Sequence, residues 1–169
     1  MQISTDRIKE LRDQTGAGIL DCRNALLETA GNSEKAVQLL KEKGLLQAKK
    51  TAEKERVTAQ GLVEAYIHTN GCLGAMVEVN CETDFVARLQ EFKDLAHNLA
   101  MQVAALSPRF ISKEEIPASA DVEPEIACLL LQPFIKDPTR TIQDLVNEVI
   151  AKTGEKIRVK RFCRFALVE

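Results

Sequence analysis

Apolar residues change their spacing along this chain, and the changes divide it. From Ile8 to Leu40 they recur at helical steps: Ile8 and Leu11, then Ile19, Leu20, Cys22, Ala25, Leu26 and Leu27, then Ala36, Val37, Leu39 and Leu40. Ser4-Thr5-Asp6 opens the first helix and Gly16 ends it. Gly31-Asn32-Ser33 stops the second and caps the third, for which Gly44 is the expected stop. Three short helices bury little area, so residues 1–44 predict a small N-terminal module. Residues 45–58 are rich in Lys, Glu, Ala and Arg, with Lys49, Lys50, Lys54 and Arg56 interleaved with Glu53 and Glu55. They predict an exposed helix that links the module to a core over residues 59–169.

Beyond the linker the period shortens to two. Residues 61–68 and 72–82 predict two strands joined through Thr69-Asn70-Gly71. A two-residue loop would pair His68 with Leu73 and set Glu64 beside Val77. A three-residue loop pairs Ile67 with Leu73 and Val63 with Val77, keeps one apolar face continuous, and is preferred. Phe85, Leu89, Phe92, Ala96, Leu99, Val103 and Leu106 then mark one face of a single long helix. Its start falls at Thr83-Asp84, where Thr83 suits the N-cap and Asp84 the positive end of the helix dipole. On spacing alone Phe85 reads as the first core residue of that face. The competing reading is an aromatic presented on a capped, rigid corner for insertion into a partner.

After Ser107-Pro108, residues 109–124 predict a surface loop and Glu125 to Gln132 a short buried helix ended by Pro133. Thr141 caps a helix through Ile142, Leu145, Val146, Val149 and Ile150, with Gly154 after it. Ile157 to Val168 predicts a final strand. The fold class is therefore α+β: a three-helix module, a linker helix, and a small three-stranded antiparallel sheet backed by helices.

Composition narrows the chemistry. Of 169 residues 45% are hydrophobic and 28% charged, which describes a folded chain. A net charge of −2 and only 4% aromatics, with no Trp, argue against nucleic-acid binding. The early charges Asp6, Arg7, Lys9 and Glu10 exclude a secretory signal, and no apolar run spans a bilayer. Five cysteines, odd in number and without Cys-x-x-Cys, fit reduced cytosolic thiols and no metal site. Thr15-Gly16-Ala17-Gly18 lacks the third glycine and the preceding strand of a dinucleotide loop, and no phosphate-binding loop with Gly-Lys-Ser/Thr occurs. Cys81 and His68 lie at opposite ends of the predicted hairpin, which disfavours a thiol enzyme. Lys156, Arg158, Lys160, Arg161 and Arg164, interleaved with Phe162 and Phe165, fit a solvated or protein-facing strand better than an RNA-stacking one.

Six segments then carry a resemblance. Lys9-Glu10-Leu11-Arg12, Thr15-Gly16-Ala17-Gly18, Asp21-Cys22, Asn80-Cys81-Glu82-Thr83-Asp84-Phe85-Val86, Gln132-Pro133-Phe134-Ile135 and Gly154-Glu155-Lys156-Ile157 stand in the order seen in bacterial and organellar elongation factor Ts. The chain resembles a short form of that family, with one core half, and the resemblance covers nearly its whole length. It departs in a shortened loop from Ile116 to Glu125, and in Lys156 where the family usually shows Asn. The resemblance implies a cytoplasmic guanine-nucleotide exchange factor for elongation factor Tu. It implies no catalytic side chain, cofactor or metal of its own, and neither nucleic-acid nor membrane partners. Asp84 and Phe85, within the Thr83-Asp84-Phe85-Val86 motif, would dock on the GTPase domain, with Phe85 entering between its helices and dislocating the magnesium that helps hold the diphosphate. Leu11, Ile19 and Leu20 would meet the same domain. The N-terminal helices also resemble ubiquitin-associated domains, so the alternative is a helical interaction module without exchange activity.

A homodimer is expected as well, since short-form relatives pair sheet to sheet. In the final strand, strict alternation sets Ile157, Val159, Cys163 and Phe165 on one face and Phe162 with Arg158, Lys160 and Arg164 on the other. Phe162 on that basic face is the expected dimer contact, and Cys163 is read as a buried, reduced thiol.

Overall fold

The computed structural model of the protein describes residues 3–53 and 55–167, which leaves the linker's Lys54 and the last strand's Val168 outside it. The first and third helices begin where local chemistry dictates. In α1 (Thr5–Thr15) the Ser4 hydroxyl accepts from the N–H of Arg7, and Gly16 turns left-handed at φ 68° to stop it. Helix α2 covers Ile19–Glu28, and Asn32 Oδ1 then caps α3 by accepting from Lys35 N at 2.9 Å. Leu11, Cys22, Ala25, Leu26, Ala36 and Leu40 close a small apolar cluster among these helices.

Helix α3 overturns the expected stop at Gly44: it runs unbroken from Ser33 to Glu53. Nor is its second half solvated all round. Ala48 and Thr51 are buried, and the helix packs on a later helix, α7 (Ile142–Thr153). A Cβ on Gly44 would stand 3.5 Å from Ala151 Cβ, so small residues at 44 and 48 permit close approach. Glycine in a helix interior costs only about 1 kcal/mol, which that packing offsets.

Strands β1 (Gln60–Ile67), β2 (Leu73–Cys81) and β5 (Arg158–Ala166) form one antiparallel sheet in the order β1-β2-β5. The preferred hairpin register is corrected. Ile67 lies opposite Gly74 and Glu64 opposite Val77, because residues 69–72 form a four-residue loop closed by His68 N to Leu73 O at 2.8 Å. Continuity of apolar residues was the wrong criterion, since it concerned the face without helices. Leu62, Glu64 and Tyr66 turn toward the helices, and Glu64 meets His97 Nδ1 at 3.0 Å. Val63 and Ile67 lie on the open face.

The final strand needs a second correction. Val159 pairs with Val79 but Arg161 pairs with Glu78, so Lys160 is an extra, bulged residue. Past the bulge the alternation inverts. Phe162 packs against the core, whereas Cys163 and Phe165 are exposed on the open face. Lys160 and Arg161 both reach Glu78, at 3.0 and 2.7 Å.

The long helix predicted from Phe85 to Leu106 is two helices, α4 (Asp84–Arg88) and α5 (Gln90–Leu106), separated by extended backbone at Leu89 (φ −63°, ψ 144°). Helix α5 lays Phe92, Ala96, Leu99 and Val103 across the sheet. The buried helix expected over residues 125–132 is instead α6 (Pro124–Ala127) followed by a 3-10 turn at Leu129–Leu131. The chain is drawn extended at Cys128, beside Phe110, and Phe110 O accepts from Leu129 N at 2.9 Å. A two-stranded hairpin, β3 (Pro133–Phe134) with β4 (Asp137–Thr141), went unpredicted. Its start is fixed by Gln102, which donates to Gln132 Oε1 and Pro133 O and accepts from Ile135 N. Thr141 and Asp144 then form a capping box that opens α7, and Gly154 ends it at φ 71°.

Candidate functional site

The turn from β2 into α4 holds the motif predicted as the site. Thr83 is extended (φ −122°, ψ 155°), and its hydroxyl accepts from Val86 N at 3.4 Å. This is the N-cap that its position before Asp84 implied. Val86 is buried and anchors the first turn in the core. The break at Leu89 removes α4 from the phase of α5, and Phe85 is 72% exposed. The reading of Phe85 as a core residue, favoured on spacing, is therefore overturned. Asp84 pairs with Arg88 at 2.7 Å, but both groups are largely exposed, so the pair holds Asp84 only weakly.

Two carboxylates that sequence reasoning did not single out fix this corner. Gly154 turns the chain so that Glu155 reaches the end of β2. Glu155 Oε2 accepts from Glu82 N at 3.2 Å and Thr83 N at 3.0 Å, and Oε1 accepts from the Thr83 hydroxyl at 2.6 Å. In return Glu82 Oε1 accepts from Lys156 N at 2.6 Å and from Arg56 Nη1 at 3.0 Å. The Lys156 N–H, then Arg56, hold the Glu82 carboxyl below its ordinary range. A lowered folded-state pKa means this contribution is complete at neutral pH and is lost as the pH falls through that lowered value. The Cys81 thiol donates to Thr83 O at 3.1 Å, and burial, followed by the charge of Glu155, pushes it up to about 11. A thiol so protonated is no nucleophile at neutral pH.

The other predicted site residues divide. Ile19 and Leu20 are 56% and 70% exposed at the start of α2, an apolar pair with no cover. Leu11 is buried in the apolar cluster among the helices, so its side chain presents no surface of its own to a partner. The open face of the sheet is a separate apolar area, made by Val63, Ile67, Met76 and Phe165, the last 72% exposed. Among the described residues no cluster of His, Cys, Asp and Glu has the makings of a metal site. No described helix is long and apolar enough to cross a membrane.

Known proteins share this chain over its full extent. The sequence model of the elongation factor Ts family matches residues 20–127. Elongation factor Ts of Thermotoga sp. strain RQ2 is 47% identical over 197 aligned positions, which cover 100% of this chain and 98% of the relative. The Moorella thermoacetica protein of the same name is 47% identical, covering 99% and 96%. That of Caldanaerobacter subterraneus subsp. tengcongensis is 45% identical, covering 96% of each.

Proposed function

Because the chain belongs to the elongation factor Ts family, and so among translation elongation factors, we propose that it is the guanine-nucleotide exchange factor for elongation factor Tu in the cytoplasm. The observation that carries this reading is Phe85, an aromatic held out of the core on a capped and braced corner.

The mechanism requires no catalytic side chain. Exchange follows when the factor binds the distorted, nucleotide-free GTPase better than the GDP-loaded one. Phe85 would enter between helices of the GTPase domain with Asp84 beside it, and the shift would dislocate the magnesium that helps hold the diphosphate. Thr83 and Val86 hold that presentation from within this chain. Ile19 and Leu20, on the module whose core holds Leu11, would dock on the same domain and contribute affinity in both nucleotide states. In this division residues 1–44 dock, residues 45–58 link, and the core of residues 59–169 displaces the nucleotide. The coupling is reciprocal. If the factor weakens GDP about a thousandfold, GDP weakens the factor equally, about 4 kcal/mol in each direction. A helical interaction module would use α1 to α3 alone and give Phe85 no task.

The test is release of fluorescent GDP from purified elongation factor Tu. The chain accelerates release on this reading; an unchanged rate overturns it. Retention on RNA that falls steeply with salt would instead mark a nucleic-acid binder.

The homodimer is part of the proposal, with its contact revised from Phe162 to Phe165. Val63, Ile67, Met76 and Phe165 give an open sheet face too apolar to be left to solvent, and a second copy meeting it about a two-fold axis would cover both. The Glu78 pairs with Lys160 and Arg161 would border that contact. Light scattering at micromolar concentration, without elongation factor Tu, should give about twice 18.8 kDa. A mass of 18.8 kDa would contradict the dimer.

A further inference from the structure

We propose that Glu155 is a positioning residue for nucleotide exchange: from the turn after α7 its carboxylate grips the Glu82–Thr83 backbone and the Thr83 hydroxyl, and so sets the direction in which Phe85 is presented. The inference deepens the exchange reading and rests on it.

The geometry is that of a reciprocal clasp. Glu82 and Glu155 stand 73 residues apart, yet each side chain takes a backbone N–H from the other's segment. The N–H groups of Glu82 and Thr83 lie where β2 has ended and α4 has not begun, so neither sheet nor helix pairing satisfies them. A single carboxylate takes both. Its second oxygen accepts a hydrogen bond from the Thr83 hydroxyl, which leaves that hydroxyl's lone pairs for Val86 N and the N-cap. Charge-assisted bonds of this kind are stronger and more directional than neutral ones. Helix α4 has only the five residues Asp84–Arg88, so it cannot define its own axis, and Leu89 uncouples it from α5. Its orientation therefore depends on Val86, Ala87 and Leu89 packing below and on Glu155 at the N-cap. Arg56, on Glu82, extends the clasp to the segment just past α3.

The consequence is specific. Without the Glu155 carboxylate the chain still has its sheet, its α5 core and its apolar docking pair, but Phe85 is no longer aimed. Displacement by about 1 Å costs a positioned group one to two orders of magnitude. The maximal rate of GDP release should fall, because Phe85 acts in the displacing step. The concentration of factor giving half-maximal rate should move little, because docking by Ile19 and Leu20 is unchanged.

The experiment measures fluorescent GDP release from elongation factor Tu against factor concentration for the full chain and five variants. Glu155→Ala should lower the maximal rate about tenfold with half-saturation within about twofold. Glu155→Gln keeps an oxygen for the two N–H groups and should recover most of that rate. Glu155→Asp keeps the charge but withdraws it by one methylene, so it should be as slow as Glu155→Ala, and it remains informative if the alanine variant unfolds. In a Phe85→Ala background, Glu155→Ala should add nothing further, since both act through one group. A normal maximal rate for Glu155→Asp, no recovery with Glu155→Gln, or full additivity with Phe85→Ala would each overturn the positioning role. Phe85→Ala that itself exchanges at the normal rate would overturn insertion and this inference together, whereas a full chain that leaves GDP release unchanged would overturn the exchange reading.

Discussion

Phe85→Ala should lower the maximal rate of GDP release from elongation factor Tu by about a hundredfold, as expected for a buried aromatic anchor in a complex. The same variant should leave the chain almost as stable as before. Phe85 is 72% exposed and lies outside both apolar clusters, so its truncation opens no cavity. Surface substitutions of that kind change stability by about 0.5 kcal/mol or less. Thr83 and Val86 still cap and anchor α4 in the variant. Stopped-flow release and a thermal melt together separate the two effects. A folded variant that exchanges at the normal rate would remove insertion from the mechanism. A large fall in melting temperature would show that Phe85 supports the fold.

Gly61→Ala should damage the fold severely. A Cβ built at Gly61 would stand 2.1 Å from Val79 O and 2.7 Å from Asn80 Cα, both backbone atoms that no rotamer change can clear. Its φ of 149° is also one that residues with side chains rarely adopt. Strand β1 would have to lift from β2 one residue before Cys81, where β2 leads into the corner. A cost of about 3 kcal/mol or more is expected, from strain and lost pairing combined. That is a large share of a typical stability of about 5–15 kcal/mol. Gly71→Ala is the control. It shares positive φ, at 69°, but its Cβ would meet nothing within 4 Å, so only the left-handed penalty of about 1–2 kcal/mol remains. Urea midpoints of the two variants, with equal slopes, test the difference. Equal losses would mean that close approach of β1 to β2 is not what fixes Gly61.

Much of the fold was legible because its punctuation is local. Ser4, Asn32, Thr83 and Thr141 cap the helices that follow them, and Gly16 and Gly154 end theirs left-handed, each by chemistry contained within four residues. What was illegible depends on partners distant in sequence. Gly44 reads as a stop until Ala151 is seen beside it. Phe162 and Phe165 exchange faces because of one bulged residue, Lys160, which no spacing rule announces. The hairpin register was misjudged by favouring a continuous apolar face through Val63 and Ile67, which line the open face.

The site divides in the same way. The N-cap at Thr83 and the exposed Ile19 and Leu20 follow from short patterns and the resemblance. The exposure of Phe85 agrees with the resemblance but not with the spacing, because it results from the break at Leu89, where neither Gly nor Pro stands. The clasp of Glu82 and Glu155 joins two strand ends brought together only by β2 pairing with β5. Its single trace in the sequence is that both carboxylates sit within quoted segments of the resemblance, Asn80–Val86 and Gly154–Ile157.

On the proposed reading, this chain displaces nucleotide by preferring the GTPase without it. The most direct measurement is the affinity of the chain for elongation factor Tu in two states, free of nucleotide and loaded with GDP and magnesium. The predicted result is a preference of about a thousandfold for the nucleotide-free state, with GDP affinity lowered by the same factor when the chain is bound. Equal affinities for the two states would contradict the account, however tightly the chain bound.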